Sequence, residues 1–201
     1  MSKEELLEEL RKEVENCRKC DLWKIRRRPV FGEGSPNAKI MLVGLGPGRQ
    51  EDLQGRPFVG AAGKFLNQLL GEAGLARENV YITNVMKCFL PENKATGEQV
   101  EACTPYLDRQ IEIIQPRLII ALGNLAASYL LGKFGLKAEP MEKIHGRLYE
   151  FSTLILTGYI MPMYHPASAL RNPNLRNKLI EDWRNLGRVL MRLGLIDAGN
   201  T

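Results

Sequence analysis

The sequence has no apolar run long enough to cross a bilayer, and its start, Met1-Ser2-Lys3-Glu4-Glu5, lacks the pattern of a secretory signal. A cytoplasmic protein with no membrane partner is therefore expected. Internal repeats, low-complexity tracts and a clear interdomain linker are also missing, so the 201 residues are expected to form one domain, 1–201. Cysteine is scarce. The four present, Cys17, Cys20, Cys88 and Cys103, would lie in a reducing compartment, which argues against a disulfide framework and for a metal. Their spacing is not the doubled C-x2-C of a zinc ribbon, because Cys88 and Cys103 stand too far apart for one knuckle.

What is present is a globular balance, 44% apolar and 25% charged residues, with a net charge of +5 that favours a polyanionic partner. Lys24, Arg26, Arg27 and Arg28 cluster in an N-terminal arm, and Arg171, Arg176, Lys178, Arg184, Arg188 and Arg192 recur towards the C-terminus. The last three equally suit solvated helix faces.

Leu6, Leu7, Leu10 and Val14 recur at helical spacing between Glu4 and Cys17, and an irregular basic arm follows to Asn37. Strands are expected at 39–43, 80–85, 118–122 and 157–163, with helices at 64–70, 98–114 and 125–131 between them. Residues 141–149 fit either an irregular excursion or a hairpin, and Pro173 is expected to open a last helix through Leu193. Alternating strands and helices with apolar strands imply a single-domain, three-layer α/β/α fold around a mainly parallel central sheet, with ligands at the C-terminal strand ends.

One stretch stands out, residues 43–63, VGLGPGRQEDLQGRPFVGAAG, between a strand and a helix. Backbone N–H groups in such a loop are placed to bind ligand oxygens. It is neither of the usual nucleotide loops, since Arg49 replaces the third glycine of a dinucleotide fingerprint and no GK[ST] follows. It resembles the first motif of the family 4 uracil-DNA glycosylases: Gly44-Leu45-Gly46-Pro47-Gly48, then Glu51-Asp52, then Gly55-Arg56-Pro57-Phe58-Val59-Gly60-Ala61-Ala62-Gly63. Thr83-Asn84-Val85 and His165-Pro166-Ala167-Ser168 resemble that family's later motifs, in the same order.

The resemblance implies a glycosylase-like fold and a monofunctional enzyme that hydrolyses the N-glycosidic bond of uracil in DNA, as in base excision repair, leaving an abasic site. Phe58 would stack on the flipped base, Asn84 would read its edge, and His165 would donate to the oxygen anion that develops as the base departs. Four thiolates on chemistry alone suit zinc and a [4Fe–4S] cluster equally, and the family likeness points to the cluster, in a structural role. His145 matches no motif.

Two departures bear on this expectation. Leu45 occupies the usual glutamate position, as in the G-L-A-P-A of family 5, so within this loop the contacts to the base are expected from backbone groups of Leu45, Gly46 and the turn at Pro47. Glu51 then becomes the carboxylate for orienting water or policing the C5 edge of the base, with a solvated surface carboxylate as the alternative. Phe89-Leu90 follows Cys88 where the family has a basic strip, which predicts changed DNA contacts or base preference. The insert of relatives that trap uracil covalently is missing, so no adduct is expected.

Residues 167–172 resemble the minor-groove loop, with Leu170 as the wedge into the vacated stack and Ser168 and Arg171 facing DNA. Leu170 equally suits packing against the last helix. Partners are expected to be uracil-containing DNA, single- or double-stranded, and a replication sliding clamp, with the protein a monomer. Alternatives are a glycosylase of altered or broader deaminated-base specificity, and a catalytically weak iron–sulfur DNA-binding module.

Overall fold

A computed structural model describes residues 1–197. Helix α1 (Lys3–Glu15) opens on a capping box in which Ser2 Oγ accepts from the Glu5 N–H and the Glu5 carboxylate accepts from the Ser2 N–H. Its apolar stripe, Leu7, Leu10 and Val14, is buried. Strands β1 (Ile40–Gly44), β2 (Tyr81–Asn84) and β3 (Leu118–Leu122) are buried along their whole length, as strands covered on both faces must be. They pair in parallel with β5 (Thr157–Met163), and β4 (Tyr149–Ser152) adds an antiparallel edge, giving the order β2-β1-β3-β5-β4.

The chain moves from β1 outward to β2 and then back across β1 to β3. Right-handed crossovers therefore place α3 (Ala61–Glu72) on one face of the sheet and α4 (Gly97–Ile114) on the other. Side-chain ties agree with this. Helix α1 joins α4 through Arg109 and Glu13, and α4 joins α5 (Asn124–Lys133) through Lys133 and Asp108. On the other face α3 packs against α7 (Pro166–Arg171) and α8 (Arg176–Arg192). The expected three-layer α/β/α arrangement with a mainly parallel sheet is what forms, around one contiguous buried cluster. The reversal of direction between β1 and β3 leaves a crevice at their carboxyl ends, the usual ligand position in such sheets.

Four elements differ from expectation. The 43–63 stretch contains a short helix, α2 (Arg49–Gln54), closed by Gly55 at φ 70°. Residues 141–149 divide into a single turn, α6 (Met141–Ile144), and the start of the β4–β5 hairpin. The expected 167–172 loop is α7, started by Pro166 at its first turn, where a missing N–H costs nothing. The last helix starts at Arg176, because Pro173–Leu175 forms a separate 3-10 turn. The basic arm is tied down as well, since Glu33 and Ile82 exchange both backbone hydrogen bonds along the outer edge of β2. Among the described residues no helix is long and apolar enough to cross a membrane.

Candidate active site

A cleft of about 690 Å³ opens at the carboxyl ends of β1, β2, β3 and β5. Each strand ends in a residue of its wall: Leu45 and Gly46 after β1, Asn84 at the end of β2, Gly123 after β3, and Tyr164 and His165 after β5. Glu51, Phe58, Ser168 and Arg171 complete the parts foreseen from sequence.

The glycines of the first motif have steric causes. A Cβ on Gly44 would lie 2.5 Å from Asn84 Oδ1 and 2.7 Å from Phe58 Cζ, so both side chains cross directly over this residue. A Cβ on Gly63 would strike the Phe58 carbonyl at 1.9 Å. Phe58 itself has φ 50°, a left-handed conformation that costs a non-glycine residue about 1 to 3 kcal/mol and concentrates at functional sites. Arg77 holds it there by donating to the carbonyls of Phe58 (2.9 Å) and Pro57, and is itself paired with Glu33 (3.0 Å). The Phe58 ring, stacked on His165 with centroids 5.5 Å apart, faces the cleft as an apolar platform.

Asn84 is buried, and its Oδ1 has no hydrogen-bond partner within the protein. A buried acceptor without a donor costs about 1 to 3 kcal/mol, so one aimed into a cleft signals that a ligand completes it.

His165 caps α7 with its Nδ1, which accepts from the Ala167 N–H at 3.1 Å. That bond fixes the tautomer, since the proton must then sit on Nε2. Burial, helped by the charge of Arg171, pushes the imidazole down to about 4. The site therefore holds a neutral histidine with an Nε2–H to donate. Ser168 turns its hydroxyl to the His165 carbonyl at 2.6 Å, tightening the same turn.

Glu51 has a structural task. Its Oε1 accepts from the N–H groups of Val59 and Gly60, both at 3.1 Å, at the start of α3. A Cβ on Gly48 would lie 2.9 Å from Glu51 Oε2. Leu45 stands in the cleft wall, where it presents hydrocarbon and no polar atom.

One expectation is corrected here. Pro47 is buried behind the loop, where its carbonyl accepts from the Leu90 N–H, and it does not line the cleft. Leu90 is also buried and packs on Gly46, whereas Phe89 is half-buried, so the Leu90 part of the departure after Cys88 lies in packing. Leu170 does not line the cleft; it is 48% exposed and adjoins Arg171, which does.

The four cysteines, from α1's end, the arm, the chain after β2 and α4, line one small cavity. Arg26 Nη1 donates to Cys88 Sγ at 3.1 Å and the Lys87 N–H donates to Cys103 Sγ at 3.3 Å, the kind of donors that thiolate ligands require. Burial raises the Cys88 thiol against the pull of Arg26, and raises Cys103 to about 11 against the pull of Lys87. Among the described residues no three Cys, His, Asp or Glu side chains converge tightly enough for a single metal ion.

Sequence reading missed Arg77, Glu33, Gln110 and Lys87. Lys87 is 1% exposed, and burial pushes its ammonium down to about 7. Nothing local marks these residues, because each is an ordinary polar residue until the fold places it.

The switch-point cleft of this α/β fold thus carries an aromatic face, a buried amide oxygen without a partner and a neutral histidine, the mixed apolar and polar lining of a small-molecule site. A family model described as the uracil DNA glycosylase superfamily matches residues 31–187, and the chain belongs to that superfamily. It is 47% identical over 182 residues to a type-4 uracil-DNA glycosylase of Sulfurisphaera tokodaii, covering 90% of this chain and 83% of that one. A type-4 enzyme of Saccharolobus solfataricus is 47% identical over 180 residues, 89% of this chain and 83% of the relative. One from Archaeoglobus fulgidus is 43% identical over 186 residues, 92% and 94%.

Proposed function

We propose that this protein releases uracil from DNA by hydrolysis, leaving an abasic site. The orphaned Oδ1 of Asn84 carries the reading. Uracil offers an N3–H and an O4 side by side on one edge, the complement of a carboxamide's oxygen and nitrogen. With the flipped base stacked on Phe58, Asn84 takes that edge and His165 donates Nε2–H to O2. A neutral donor suits this task, because the charge it meets grows only as the C1′–N1 bond breaks and the electron pair leaves with the base.

Water supplies the new bond to C1′. Glu51, with Oε1 anchored to the start of α3, offers Oε2 to orient that water and take its proton. Leu45 contributes hydrocarbon and its backbone. Ser168 and Arg171 face the DNA, and Leu170 supports the vacated stack. The net charge of +5 supports DNA as the partner. One chain carries every group this chemistry uses, which supports a monomeric, single-domain enzyme.

Cys17, Cys20, Cys88 and Cys103 would hold a [4Fe–4S] cluster. Such a cluster spreads its thiolates over separate irons, which suits four sulfurs brought to one cavity from distant parts of the chain. Its role is to tie the arm and α1 to α4.

A single-stranded oligonucleotide carrying one uracil tests the reading, with alkali to cut any abasic site. Alkali-labile product that falls at least about 100-fold in Asn84→Ala is expected. Tight DNA binding without release from uracil, hypoxanthine or xanthine would leave a binding module instead. A brown, anaerobically purified protein with four irons per chain is expected; a colourless zinc protein would overturn the cluster.

A further inference from the structure

Lys87 is the one lysine enclosed by the sheet and α4, and its surroundings are built to fix it. Its Nζ donates to Asn84 O at 2.6 Å, to Thr83 Oγ1 at 2.7 Å and to Gln110 Oε1 at 2.7 Å. An ammonium has three N–H donors, so every one is used. The acceptors are held in turn. Thr83 Oγ1 donates to the Phe31 carbonyl at 2.9 Å, and Gln110 Nε2 donates to the same carbonyl at 2.8 Å and to the Tyr81 hydroxyl at 3.1 Å. The Lys87 main chain joins the same lattice, its carbonyl accepting from Val30 N–H and its N–H donating to Cys103 Sγ.

The need for this lattice follows from strand geometry. Along β2 successive residues turn their main-chain groups alternately inward to β1 and outward. Ile82 faces outward, where the arm meets it at Glu33, so Asn84 faces outward two residues later, beyond the end of that pairing. Its carbonyl would be buried there with no strand to receive it. Lys87 receives it. A buried cation is a poor way to gain stability, since apolar residues of similar volume serve as well or better. It is a good way to fix a carbonyl in space.

We propose that Lys87 is a positioning residue for base recognition, acting through Asn84 by clamping the main chain that carries the base-reading amide. This rests on the assignment of Asn84 as the reader of the uracil edge, and it extends the site to a residue that does not line the cleft. The clamp sets where the amide points. Without it the β2 terminus is held on one side only, and the amide loses its register against Phe58 and His165.

The test is a double-mutant cycle on the purified holoprotein, read as single-turnover release from a uracil-containing single strand. Lys87→Met keeps length and the backbone N–H to Cys103, so iron content and the visible spectrum are expected to stay at the wild-type level. Release is expected to fall about tenfold or more in the wild-type background and to change less than about twofold in Asn84→Ala, because residues acting as a unit are not additive. An equal fall in both backgrounds, or an unchanged rate in folded Lys87→Met, overturns the proposal.

Where Lys87→Met does not accumulate folded, Thr83→Val removes one anchor at nearly constant shape and Thr83→Ser restores the hydroxyl. A several-fold loss in the first with recovery in the second is expected; equal rates in both would refute the clamp. Asn84→Ala alone reports separately on the underlying assignment, since a normal rate there sinks the base-reading role whatever Lys87 does.

Discussion

Asn84 Oδ1 lies 2.5 Å from the point at which any other residue in place of Gly44 would carry its Cβ. The amide and the Phe58 ring share the space above one glycine, so the first strand's end sets the positions of both. Gly44→Ala is expected to keep the fold and to displace both groups. A shift of about 1 Å at a reacting centre costs about 100-fold. Single-turnover uracil release should fall by about that factor while circular dichroism stays unchanged.

His165 predicts a pH signature. Its imidazole is held near 4 in the folded protein against an ordinary 6.5, so the unfolded chain binds a proton first as pH falls. The stability this contributes is full above about 6.5 and is lost as pH drops through about 4. The shift corresponds to up to about 3 kcal/mol at about 1.4 kcal/mol per unit. His165→Gln should show a shallower loss of melting temperature between pH 7 and pH 4 than the wild type. Nitrogen NMR at pH 7 should find the proton on Nε2.

Glu51 separates its two tasks by substitution. Glu51→Gln keeps an oxygen for Val59 and Gly60 and removes the charge that would take the water's proton, so release should drop about 10- to 100-fold with little change in melting temperature. Glu51→Ala also strips the start of α3, with a further stability loss of about 1 kcal/mol. Equal activity in wild type and Glu51→Gln would leave the residue a structural anchor only.

Leu170 stands exposed and adjoins Arg171 of the cleft lining, where an apolar side chain can enter a vacated base stack. Leu170→Ala should slow excision from duplex DNA about tenfold and leave single-stranded substrate within about twofold, because only the duplex must be opened and held open. Side-by-side assays on the two substrates decide it.

Much of this was legible along the chain. The runs at 40–44 and 118–122 are continuous apolar stretches, which marks them as buried parallel strands. The glycine motif and the residues at 84 and 165 could be picked out because they sit at strand ends, and Phe58 because it belongs to the glycine-rich stretch that follows β1. The 166–176 region was misread, because Asn172-Pro173 looks like a helix start whereas Pro166 already starts one. Leu170 fits core and wedge equally along the chain, and its 48% exposure removes only the core reading.

The sequence by itself determined the order of the elements, the buried sheet and the kinds of side chain available at its carboxyl ends, because hydrophobic period and glycine placement act locally. Tertiary structure alone decided which polar groups are paired. It brought Cys17 and Cys20 against Cys88 and Cys103, set Arg77 on the Phe58 backbone, turned Pro47 and Leu90 inward, and closed Thr83, Gln110 and Asn84 around Lys87. A lysine is a surface residue on every local criterion. Only the burial of three acceptors distant in chain or facing a strand edge makes it an interior one.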